Sequence, residues 1–80
     1  MVWHVRTKSV TDTSILIEYS YEQNLNCDGL INYNKATDVF SIEKLSVGAD
    51  EFATKWLFQH LYRLLRNNEL NGEVRHVCIG

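Results

Sequence analysis

Proline is missing from this chain of 80 residues, glycine occurs four times and cysteine twice. Without proline and with so little glycine, Pro-rich linkers, collagen-type repeats and low-complexity tails are excluded. An excess of one charge is missing too. Eight Lys and Arg stand against ten Asp and Glu, a formal net charge of −2, which argues against a general affinity for nucleic acid or anionic membrane. No stretch approaches 18 apolar residues, so no spanning helix is expected. No apolar run follows a basic start in Met1-Val2-Trp3-His4-Val5-Arg6, so no secretory leader is expected either. There are seven asparagines but no Asn-x-Ser/Thr triplet. Cys27 and Cys78 are too few for a disulfide-dependent scaffold, and they read as reduced, mostly buried thiols of a cytoplasmic protein.

What remains is ordinary globular composition, 45% apolar and 22% charged. A chain of this length supports one core, so residues 1–80 are read as a single domain. It buries roughly 60% of its unfolded surface, for a stability of about 4–12 kcal/mol. That leaves little room for a deep catalytic cleft.

The first 47 residues alternate with period two, the mark of half-buried strands. Residues 2–8 put Trp3, Val5 and Thr7 on one face and Val2, His4 and Arg6 on the other. After a polar break at Thr11-Asp12-Thr13, residues 14–21 put Ile15, Ile17, Tyr19 and Tyr21 opposite Leu16, Glu18 and Ser20. A third strand is expected over 27–33, with Gly29 weakening it or marking a bulge. A turn at Asn34-Lys35-Ala36-Thr37 leads to a fourth strand over 38–45. Short connections between four strands make an antiparallel meander.

The period then changes. Asp50 suits a helix N-cap, Glu51 the first turn, and Arg63 and Arg66 the C-terminal end, so the spacing predicts a helix over 52–66 stopped by Asn67-Asn68 and Asn71-Gly72. Residues 73–79 alternate again as a fifth strand. The reading is an α+β fold of order ββββαβ: a four-stranded meander, one long helix on one face, and a closing C-terminal strand that pairs beside the first, giving sheet order 4-3-2-1-5.

The helix is too apolar for one sheet. Ala53, Trp56, Leu57, His60, Leu61 and Leu64 cluster near Phe52 on a broad face, while Phe58, Tyr62 and Leu65 form a second ridge along its flank. Together they cover roughly two-thirds of the circumference, against a stripe somewhat over 100° for a helix on a sheet. A strongly twisted sheet, or loop 22–26 folded over the flank, can hide the ridge. Otherwise a protein partner covers it, most simply a second copy in a two-fold dimer. Three such side chains contribute about 6–9 kcal/mol when fully buried, against an association cost of about 4–15 kcal/mol. The reading is a non-enzymatic interaction or regulatory domain contacting its partner through Phe58, Tyr62 and Leu65, with Trp56 in the core beneath.

Motifs of defined chemistry are absent: no phosphate-binding or dinucleotide glycine loop, no G-x-S-x-G, no H-E-x-x-H, no C-x-x-C. No cofactor is expected. Asp50 and Glu51 are explained by capping, and Glu18, Asp28 and Glu43 come from different strands. Lys55, Arg63 and Arg66 make a basic stripe, which reads as a solvated helix face. His60, on the apolar side, reads as a core-edge histidine. The alternative to association is a small-ligand or metal site on the open sheet face. There His76 and Cys78, two apart on strand five, would face His4 and Arg6 across strand one, and His4, His76 and Cys78 are suitable ligands for zinc or copper. Three ligands fall short of a structural zinc site, and the same spacing also describes an ordinary solvated strand face.

Overall fold

The computed structural model describes residues 1–78, with Arg75 and Cys78 described through their backbone alone. Five strands and one helix follow in the order β1 (Val2–Val10), β2 (Ser14–Tyr21), β3 (Gly29–Asn34), β4 (Val39–Lys44), α1 (Glu51–Arg66) and β5 (Arg75–Cys78). All neighbours pair antiparallel, in sheet order β4-β3-β2-β1-β5. The ββββαβ reading and the placement of the last strand beside the first are therefore those of the molecule. Ile79, the last residue of the expected fifth strand, lies outside the described residues.

Local chemistry sets the boundaries. Thr11 Oγ1 accepts from the Ser14 amide at 3.0 Å and closes the β1–β2 turn. Asn34 Oδ1 accepts from Ala36 and Thr37, and Asp38 closes the β3–β4 turn with φ near 57°, a left-handed conformation that aspartate tolerates. Asp50 caps α1, its Oδ1 accepting from the Ala53 amide at 2.6 Å. At the other end Asn68 is left-handed (φ 55°), and the amides of Glu69 and Asn68 reach back to the carbonyls of Leu64 and Leu65. Asparagine thus supplies the left-handed stop usually given to glycine.

The register carries the alternation into packing. Trp3 pairs with Tyr21, Val5 with Tyr19, Thr7 with Ile17, Ile17 with Ile31, and Tyr33 with Phe40, so these share the helix-facing side. Trp3, Val5, Ile17, Tyr19, Ile31, Leu57 and Leu61 are fully buried there. Tyr19 also carries a polar node. Its hydroxyl accepts from the Ser46 amide at 3.1 Å and lies 3.3 Å from Thr54 Oγ1, whose own proton goes to the Asp50 carbonyl. This fixes the strand-to-helix connection against the sheet.

Gly29 opens β3 beside the register irregularity between Leu30 and Ile31, and it has a further role. A Cβ built there would stand 2.3 Å from Tyr19 Cε1, so the strand carries glycine to admit the ring.

Candidate functional site

At about 100° per residue, Thr54, Leu61, Leu65 and Phe58 fall within ~60° of one another, and Leu57 and Tyr62 flank them. That arc is the one the sheet covers. Thr54, Leu57 and Leu61 are buried, and Phe58, Tyr62 and Leu65 are half-buried against the core. Phe40 stacks on Phe58 with ring centroids 5.4 Å apart and meets Tyr62 edge-on at 4.6 Å. The Tyr62 hydroxyl donates to the Asp38 carbonyl at 2.7 Å. The Phe58–Tyr62–Leu65 ridge thus has much of its cover from the β3–β4 hairpin, whose aromatic residues reach under the helix.

Trp56 is not in the core. It is 49% exposed, and Phe52 is 72% exposed. Both lie roughly 160–200° around the helix from Thr54, the pole farthest from the sheet. The expectation for Trp56 fails because the side that meets the sheet is set by the buried residues Thr54, Leu57 and Leu61 and not by the middle of the apolar arc. Phe52 and Trp56 touch edge-to-face with centroids 6.2 Å apart. They line a shallow depression with Lys55 and Gln59, and Lys55 pairs with Glu51 at 3.2 Å. The outer helix face is therefore an aromatic pair inside a polar stripe. Measured from Thr54, whose burial the sequence alone does not show, the wheel sets this i, i+4 aromatic pair among Lys55, Gln59 and Arg63.

The second cluster lies on the other side of the sheet. His4 pairs directly with His76 across β1 and β5, so both rings face away from the helix. Their Nδ1 atoms are 2.7 Å apart, and His4 Nε2 lies 2.7 Å from the Glu22 carbonyl. A carbonyl only accepts, so His4 Nε2 carries a proton; in the neutral ring the lone pair is then on Nδ1 and accepts from His76 Nδ1.

The face is not an open solvated one at this point. His4 is 5% exposed, because residues 22–27 fold over the end of the sheet and bury Ser20 and Cys27 as well. Cys27 Sγ lies 3.9 Å from Ser20 Oγ and 4.0 Å from the His4 carbonyl. Arg6, expected beside the pair, is tied to Glu18 at 3.0 Å. The Cys78 side chain lies outside the described residues. Among those described, no three His, Cys, Asp or Glu side chains converge, so the structure brings together two of the three candidate ligands.

The remaining polar groups have structural partners. Arg63 Nη2 donates to His60 Nδ1 at 2.6 Å, in a depression shared with Leu64, Glu69, His76 and Val77. Asp28 clasps the two connections that flank β3 and β4: its Oδ1 accepts from Ser46 Oγ at 2.6 Å and from Asn24 at 3.0 Å. The Ser46 hydrogen bond holds the Asp28 carboxyl below its ordinary range, with the Val47 amide and Asn24 adding to it against some desolvation. The Tyr33 hydroxyl donates to Asp38 Oδ1, and that bond to a carboxylate pushes the Tyr33 phenol up.

Among the described residues no helix is long and apolar enough to cross a membrane. The chain matches no protein-family model, and no curated protein or solved structure is significantly similar to it.

Proposed function

We propose that this is a non-enzymatic association domain that pairs with a second copy of itself through the outer face of α1. The observation that carries the reading is the exposed Phe52–Trp56 pair. It is not needed to close the core, because Leu57, Leu61 and the Phe58–Tyr62–Leu65 ridge do that. Aromatic residues are the usual anchors of protein interfaces. A second copy suits the surface because it presents the same two rings, bordered by one charge of each sign in Glu51 and Lys55. Antiparallel packing of two such helices sets each acid near the other copy's base.

Magnitudes make this contact weak. The two rings leave on the order of 250 Å² accessible per copy, against about 800 Å² per partner in a stable interface. Both copies together gain about 12 kcal/mol at 25 cal/mol per Å², before an association cost of about 4–15 kcal/mol. The exchange is therefore concentration-dependent, as in a regulatory contact.

Intrinsic fluorescence tests it, since Trp3 is buried and Trp56 exposed. In a Trp3→Phe variant, Trp56 emission shifts to the blue as protein concentration rises. Emission that does not change with concentration contradicts the reading.

A further inference from the structure

A proton joins His4 to His76, and the geometry of that pair also suits a metal ion. The buried ring of His4 is fixed by its Nε2–H bond to the Glu22 carbonyl, 2.7 Å away. An imidazole held in this way, with the far N–H on a backbone carbonyl and the near lone pair presented, has the outer-shell arrangement of metal-binding histidines. The lone pair of His4 Nδ1 points at His76 Nδ1, 2.7 Å away. His76 is exposed, so its ring can turn, and its Nδ1 proton can move to Nε2 by exchange with water.

We propose that the two Nδ1 atoms form a two-nitrogen site for a divalent late transition metal of tetragonal preference, Cu²⁺ or Ni²⁺. Such an ion takes the place of the shared proton. His76 changes tautomer, no net proton is released, and water fills the remaining positions. Two imidazole nitrogens with water in the remaining positions suit ions of tetragonal preference. For the ion to lie on the His4 lone-pair axis, about 2.0–2.1 Å from Nδ1, the His76 ring swings aside from its hydrogen-bonded position 2.7 Å away. Arg6 does not oppose the ion strongly, because its charge is paired with Glu18. The site does not depend on the helix surface and goes beyond the association reading.

Calorimetric titration of the whole chain with Ni²⁺ is the test, with thermal unfolding as a second readout. The expected result is one Ni²⁺ per chain and a raised midpoint at saturation. His76→Ala, an exposed position, should weaken binding about tenfold or more and abolish the rise in midpoint. Trp56→Ala, on the outer helix face away from the pair, should leave both unchanged. The proposal is overturned if the wild-type chain takes up no Ni²⁺, or if His76→Ala binds it as the wild type does.

Discussion

Gly29 and Tyr19 share one space: the phenol ring of Tyr19 occupies the position where a side chain at 29 would begin, 2.3 Å from Tyr19 Cε1. The ring cannot withdraw. It is fully buried, and its hydroxyl accepts from the Ser46 amide beside Thr54. Gly29→Ala is therefore expected to destabilise the fold by about 1–3 kcal/mol or more through overpacking. Urea denaturation reads this as a lowered midpoint, and an unchanged midpoint contradicts the packing described.

Residues 56 and 58 are two apart on one helix and should respond in opposite ways. Phe58 stacks on Phe40, so Phe58→Ala should cost about 1–3 kcal/mol, less than the full core range because Phe58 is half-buried. Trp56 has no place in the core, so Trp56→Ala should change stability by no more than about 0.5 kcal/mol. Thermal unfolding of the two variants measures the contrast, and equal losses would place Trp56 in the core.

Asp28 links stability to acid. Its folded-state pKa is lowered, chiefly by the Ser46 hydroxyl, so its contribution is complete above the ordinary carboxylate value of about 3.9 and disappears as pH falls through the lower folded-state value. Ser46→Ala removes the main cause. The variant should lose stability at neutral pH, and its acid unfolding should be less steep below pH ~4. The same acid slope in both proteins would contradict this role.

Tyr33 gives the opposite case at the alkaline end. Its phenol is raised by the bond to the Asp38 carboxylate. The stability it lends is complete below the ordinary tyrosine value of about 10 and is lost as pH rises through the folded-state value. Asp38→Asn keeps a residue that tolerates the left-handed backbone there but removes the charge. Phenolate absorbance should then show Tyr33 ionising at lower pH in the variant, and an unmoved titration would contradict the pairing.

Element order, strand faces and helix caps were legible because each rests on local chemistry. Period-two alternation placed Trp3, Val5, Ile17 and Tyr19 on one side, and Asp50 and Asn67-Asn68 bounded the helix. Three features were not legible. The cover over Phe58 and Tyr62 depends on Phe40 lying across from Tyr33, a register that period alone does not fix. The burial of His4 depends on the path of residues 22–27, with Glu22 and Cys27 at positive φ. The outward placement of Trp56 depends on which part of a wide apolar arc meets the sheet.

The central claim, that Phe52 and Trp56 form a contact surface rather than core, is tested most directly by absolute mass. Light scattering behind a sizing column, over a range of concentrations, should give a mass rising from 9.3 kDa towards twice that value for the wild-type chain. Trp56→Glu should remain folded at 9.3 kDa throughout. A wild-type chain that stays at 9.3 kDa at the highest concentrations, or a Trp56→Glu variant that associates as the wild type does, would contradict it.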